Sequence, residues 1–163
     1  MTHLATDQLR GFAAVRHCLD EHGVDYEVVR HEATGSSLAE ARSYGAPPHR
    51  VVKTVAVWAL GQLRLVAVPA SGSVDMHRVG HFFDDPEARV ATEPELAREL
   101  PALDAGALPP FGLPAPPLAL IDRRLLSCNW VLTNGGDHRH SLRVSPLEIV
   151  RLSRARVVDI GDD

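Results

Sequence analysis

The sequence predicts a single α+β domain, residues 1–163, with a mixed β-sheet surrounded by helices. Three observations lead there. Segments of helical apolar spacing interrupt short runs of β-rich residues. Two of those runs are separated by Gly61 at a tight turn, which makes them an antiparallel hairpin. The other strand-like runs are separated by helices long enough to serve as crossovers, so the sheet combines both strand directions. A chain of 163 residues suits one core and is short for two.

The elements follow in order. Thr6 caps a helix from about Asp7 to His22, with Leu9, Phe12, Ala13 and Leu19 on one face and Gly23 at its C-terminal stop. Val24 to His31 is a strand. Ser36 or Ser37 caps a short helix, Leu38 to Tyr44, ended by Gly45 and Pro47-Pro48. Arg50–Leu60 and Gln62–Pro69 form the central hairpin. A helix is expected over Ser73–Phe83 and a short strand over Ala88–Ala91, and Thr92-Glu-Pro-Glu95 is a capping box opening a helix that ends near Leu100. Residues 104–117 are rich in Pro and Gly, yet Leu108, Phe111 and Leu113 supply apolar anchors that a solvated linker does not need, so this is an ordered loop. Leu118–Ile121 and Asn129–Thr133 are short strands. Asn134-Gly-Gly-Asp137 is a turn, and His140–Val144 returns as the hairpin partner. Ser145-Pro146 caps a helix to about Ser153, and Ala155–Ile160 is the last strand.

Composition excludes some functions. With a net charge of −4 and 5% aromatic residues, the chain has neither a basic stripe nor an aromatic platform for gripping long nucleic acids, although a small nucleic-acid end remains compatible. The start of the chain has no secretory pattern and no run has membrane-spanning length, so the expected location is the cytoplasm, with no membrane partner. Cys18 and Cys128 form no CxxC pattern and are expected to be free thiols in packed positions.

One residue stands out against this background. Of 17 basic residues, 16 are arginine and one, Lys53, is lysine. It lies inside Val51-Val-Lys-Thr-Val55. Either its stem packs while the ammonium reaches water, or the ammonium serves a pocket. The general use of arginine favours the pocket, because a compact ammonium enters where a planar guanidinium does not. It can steady an oxyanion or hold a phosphate.

His31 at a strand end is by itself a weak signal, as is the Gly106-x-x-x-Pro110 loop, whose glycine among prolines can present backbone N–H groups to an oxyanion. Asp137, His138 and His140 offer three possible metal ligands in four residues, but the two histidines share a face only if both lie in the strand and no third, distant ligand is evident. A metal-dependent hydrolase is thus a weak alternative, and no metal or cofactor is expected. Gly-x-Ser-x-Gly, the phosphate loop and GxGxxG are absent.

Taken together, Leu38-Ala-Glu-Ala, Gly45-x-Pro-Pro, Val51-Val-Lys-Thr, the hairpin into Val68-Pro-Ala, Gly106-Ala-Leu-Pro-Pro-Phe-Gly, the Gly135-Gly136 hairpin and Leu142-Arg-Val-Ser-Pro resemble the YbaK/EbsC family, over about residues 24–160. The family includes the editing domain associated with prolyl-tRNA synthetase. The resemblance implies a compact mixed-sheet domain, partly barrel-like, that hydrolyses the ester joining a wrong amino acid to tRNA, typically alanine or cysteine on tRNA for proline. Carried over by position, Lys53 matches the family's essential lysine, and Gly106 and Pro110 match its GxxxP loop.

The same resemblance makes Lys53 and Gly106 the catalytic pair. His31, Thr54, Ala107, Leu108, Pro110, Asn134, Gly135 and Ser141 become the substrate-binding set. Asn134 stands where a small hydroxyl residue is common and Ser141 where an acid can stand, so the amino acid recognised is open. Such a site needs no protein nucleophile: Lys53 anchors the ester or terminal phosphate, N–H groups near Gly106 face the carbonyl, and the ribose 2′-hydroxyl or a water oriented by His31 is the base. The implied partners are the 3′ end of a mischarged tRNA and a synthetase on which the chain, a monomer by default, can dock. The rival is a noncatalytic module that holds charged tRNA or a protein. Lys53 should point into a cleft roofed by residues 106–110.

Overall fold

A computed structural model describes residues 9–34, 36–104, 107–111 and 118–162. The N-terminal helix α1, Gly11–Glu21, begins later than expected, after Arg10, which supplies no side-chain cap; the proposed cap Thr6 and the loop anchor Leu113 lie outside the described residues. Strand β1 is Tyr26–Arg30. Helix α2, Ser37–Tyr44, is capped by Ser36, whose hydroxyl accepts from the Ala39 N–H, and stops at Gly45 with φ +79°.

Strands β2, Val52–Ala59, and β3, Gln62–Pro69, pair antiparallel from Val52 opposite Pro69 to Ala59 opposite Gln62. The two-residue turn has positive φ at both positions, 53° at Leu60 and 75° at Gly61, the geometry whose twist suits a hairpin. Leucine is a poor residue there, because its Cβ crowds the carbonyl. Its side chain is 59% exposed, so little packing is at stake. Leu60→Asn is therefore expected to stabilise by about 1 kcal/mol and to raise Tm by about 2–4 °C in a thermal melt.

After the hairpin, Ser73–Val74 form strand β4 rather than the first turn of a helix. They pair with the C-terminal residues Gly161–Asp162, and Asp75 N–H donates to the Ile160 carbonyl at 2.8 Å. Helix α3, Met76–Phe82, starts behind Asp75, whose carboxylate accepts from the His77 and Arg78 N–H groups. The long-range pairing thus takes the residues that local spacing assigned to helix. Strand β5 is Arg89–Val90, and α4, Glu93–Glu99, carries the full Thr92/Glu95 capping box.

Strand β6, Leu118–Asp122, is followed by a short 3-10 segment, Arg123–Ser127, that the sequence reading did not anticipate. Strands β7, Val131–Asn134, and β8, His140–Val144, make the second hairpin. Helix α5, Pro146–Ser153, is capped by Ser145, and β9, Arg156–Val158, and β10, Gly161–Asp162, end the chain. Both Cys18 and Cys128 are free thiols.

Strand order is β5-β2-β3-β6-β9 in the larger sheet, antiparallel on the β2 side and parallel through β6 and β9, and β1-β8-β7 in a smaller antiparallel sheet. The mixed sheet and surrounding helices are those of an α+β domain. The sheets do not close into a barrel, so the expected barrel-like character is not realised. One parallel bridge, Val51 to Leu132, joins them.

Alternation along β2 sorts the core. Val52 and Ala56 pack with Leu65, Ala67, Phe111 and Leu125 on one face. Val57 packs with Val66, Val68 and Val79 on the other. A third cluster, Ala41, Ala46, Val51, Ala70 and Leu132, seats α2 over the seam between the sheets.

Candidate functional site

The seam is where the predicted residues meet. Val51 bridges Leu132 in parallel; two residues further along each strand, Lys53 and Asn134 follow on the same face. Asn134 faces Ser141 across the β7–β8 pair, and Ser141 faces Val29 across β8–β1. His31 lies just past β1, its N–H donating to the Arg139 carbonyl at 2.9 Å. Asn134, Ser141 and His31 therefore lie together, and strand alternation sets Lys53 on the face of β2 that continues from the Val51 bridge. Lys53 is half-buried, and no acidic partner holds its ammonium among the described residues.

Beneath them lies a residue that the sequence reading missed. Glu40, on α2, is 1% exposed. Ser141 Oγ lies 2.7 Å from Glu40 Oε2 and 2.8 Å from His31 Nε2, while His31 Nδ1 lies 2.7 Å from the Glu32 carbonyl. Glu40 Oε1 is buried without a partner. Burial pushes the Glu40 carboxyl up to about 7, against the opposing pull of the Ser141 hydrogen bond. Glu40 sits beside Ala41 on the buried side of α2.

The raised pKa gives stability a pH dependence. Below the ordinary value of 4.5 both folded and unfolded chains hold the proton, and the contribution is intact. As pH rises the unfolded chain releases it first, so stability is lost up to about 7. The Glu40 contribution should cost about 3 kcal/mol between pH 5 and pH 8. Urea denaturation at both pH values, with Glu40→Gln as the variant lacking this loss, measures it.

The remaining predicted residues divide. Thr54, next to Lys53, points by alternation to the other face of β2, where its hydroxyl is buried without a hydrogen bond. Gly135 N–H donates to the His140 carbonyl at 2.9 Å, closing the turn. Gly136, with φ +95°, comes so close to α1 that an added Cβ would stand 2.7 Å from the Gly11 carbonyl.

Gly106 lies outside the described residues. Ala107, Leu108, Pro110 and Phe111 are buried. Leu108 and Phe111 join the cluster on the face of β2 opposite Lys53, so these anchors do not roof the lysine as expected. The loop meets the site from its start, where Asp104 N–H donates to the Gly136 carbonyl at 3.3 Å.

His140 is occupied by Asp137, 2.8 Å from its Nδ1, and stacks on Phe12 at 4.2 Å. Among the described residues no group of three metal-ligand side chains forms.

Comparison with known proteins places this arrangement. The family model described as the aminoacyl-tRNA editing domain matches residues 31–152. The chain belongs to that family. The editing domain has structural relatives that cover it nearly end to end. One is a crystal structure provisionally assigned as a trans-editing enzyme for prolyl tRNA synthetase, 26% identical, with TM-score 0.81, covering 91% of this chain and 95% of that one. Another is the hypothetical protein APE2540, 25% identical, with TM-score 0.83, covering 91% and 99%. No curated protein sequence matches the chain. The matched region of the editing domain contains every predicted site residue, from His31 to Ser141.

No helix among the described residues is long and apolar enough to cross a membrane. Along the same face of the smaller sheet, two residues beyond Ser141, Arg143 lies over the Trp130 ring at 4.3 Å and Arg50 at 4.7 Å. Tyr44 meets the same ring edge-on at 6.2 Å. This cationic and aromatic cluster was not anticipated from the sequence, because its members come from separate segments.

Proposed function

We propose that the protein is a trans-editing aminoacyl-tRNA deacylase acting in the cytoplasm, with alanine or cysteine on tRNA for proline as its substrate class. The observation that carries this reading is the match of residues 31–152 to the aminoacyl-tRNA editing domain, with His31, Ser141 and Asn134 brought together inside it.

In the reaction, water adds to the ester carbonyl carbon, the bond to the ribose 3′-oxygen breaks, and the proton passes to that oxygen. Free amino acid and uncharged tRNA result. Lys53, a cation with no described acidic partner, faces the developing oxyanion or the terminal phosphate, where a preorganised charge in a partly dehydrated site has its greatest effect. Both nitrogens of His31 are engaged within the protein, which favours the ribose 2′-hydroxyl over a His31-held water as the base. Arg50 and Arg143 supply positive charge beside the pocket for the backbone of the single-stranded 3′ end.

The test is incubation with a panel of tRNAs charged with alanine, cysteine, serine and proline. Faster release of alanine or cysteine than of proline from tRNA for proline is expected. A panel that stays charged would sink the enzyme reading and leave a binding module.

A further inference from the structure

We propose that Glu40 is a positioning residue of the editing site, sharing one proton with His31 through the Ser141 hydroxyl and thereby setting the charge and orientation of the imidazole. The inference deepens the editing reading and rests on it for its consequence in catalysis. The coupling itself stands on geometry.

The argument is a count of donors. His31 Nδ1 lies 2.7 Å from the Glu32 carbonyl oxygen. A carbonyl cannot donate, so Nδ1 carries hydrogen. In neutral His31, Nε2 is then a bare acceptor, and its contact with Ser141 Oγ at 2.8 Å is satisfied only if the serine hydroxyl donates to it. Serine has one hydroxyl hydrogen. Its contact with Glu40 Oε2 at 2.7 Å must then be filled by a proton on Glu40.

The second arrangement reverses each bond. Glu40 is ionised, Ser141 donates to it, and imidazolium Nε2–H donates to Ser141 Oγ. The two arrangements hold the same number of protons. They interconvert when Oε2–H passes its proton to Oγ while Oγ–H passes its own to Nε2. Removing a proton leaves two lone pairs facing each other somewhere along the chain, at Nε2 or at Nδ1.

The unpaired oxygen decides between them in the free protein. Glu40 Oε1 is buried without a partner. An unpaired carbonyl oxygen of a neutral acid is tolerable in such a place, whereas an unpaired carboxylate oxygen is costly. Free protein therefore holds neutral Glu40 and neutral His31. The upward shift of the Glu40 carboxyl agrees.

The elements that meet at the seam carry His31 just past β1, Lys53 on β2, Arg143 on β8, and Arg42 and Tyr44 on α2 itself. Arg143 is directed to Tyr44 Oη, 3.4 Å away, and to Glu27, 3.7 Å away. Of these groups, only His31 is linked to Glu40 by hydrogen bonds among the described residues, through Ser141. A negative charge arriving in the pocket, such as a phosphate or the oxyanion, favours the imidazolium arrangement with no proton taken from solvent. Glu40 touches no substrate atom; it acts through His31.

The test follows the ring nitrogens of His31 by NMR in the full chain without tRNA, comparing wild type, Glu40→Gln and Ser141→Ala. Wild type should show the Nδ1–H form. In Glu40→Gln the amide can donate to Ser141 as the neutral acid did, so the Nδ1–H form should persist, but no carboxylate can form to balance an imidazolium, so the imidazolium signal that added inorganic phosphate raises in wild type should fall. Ser141→Ala should lower it as well, and serves where Glu40→Gln does not fold.

A His31 response to phosphate that is the same as wild type in whichever variants fold would overturn the proposal. The pH profile of deacylation should lose, in Glu40→Gln, an inflection present in wild type. Because the NMR readout needs no substrate, a protein that shows the coupling yet releases no amino acid would refute the editing reading and leave the shared proton standing.

Discussion

Lys53→Ala is expected to lower kcat/KM for deacylation of alanyl-tRNA for proline by about 10²- to 10³-fold, the usual effect of removing one preorganised oxyanion donor. The lysine lies at the seam with no acid among the described residues to hold it, so its charge is directed at something outside the protein. Truncation leaves no buried carboxylate unpaired, and folding stability should change by less than about 1 kcal/mol. Lys53→Arg should recover little activity, since a planar fork does not enter where an ammonium fits. Single-turnover release of labelled amino acid, with a thermal melt on the same samples, checks both parts. Activity within threefold of wild type in the alanine variant would remove Lys53 from the site.

Phe111→Ala is expected to cost about 3–5 kcal/mol, a large share of the roughly 5–15 kcal/mol that holds a domain together. Phe111 is fully buried and packs in the same cluster as Leu65, Ile121, Leu125 and Leu142. These residues come from β3, β6, the segment after it and β8, so the ring ties the two sheets as well as the loop. The alanine variant should show a lower urea midpoint and lose deacylation before it unfolds globally, through release of residues 107–111. Phe111→Leu, which retains most of the volume, should fall well short of that loss. Equal midpoints for wild type and Phe111→Ala would show that the ring is not the anchor described.

Local signals in the sequence were reliable where the structure is local. The Thr92 capping box, the Ser36 and Ser145 caps and the Leu60-Gly61 turn all describe interactions completed within a few residues. Ser73–Val74 went the other way because its partner, Gly161–Asp162, is at the far end of the chain. The grouping of Lys53 with Asn134 and Ser141 came from resemblance, and register pairs Asn134 with Ser141 across β7–β8. Glu40 was not legible, since a glutamate in a short polar helix reads as solvated and its burial depends on a serine 101 positions away. Thr54 entered the site with Lys53 through the Val-Val-Lys-Thr resemblance, while strand alternation sends neighbours to opposite faces.

The pairing of β1 with β8 has a consequence for synthesis. His31 and Ser141 are 110 positions apart and adjacent in space. At roughly 5–20 residues per second, the ribosome exposes the first several seconds before the second. During that interval β1 has no partner strand and Glu40 no serine. A nascent or truncated chain ending before β8 thus carries His31 and Glu40 without Ser141, and the cell acquires their hydrogen-bonded partner only once β8 has emerged.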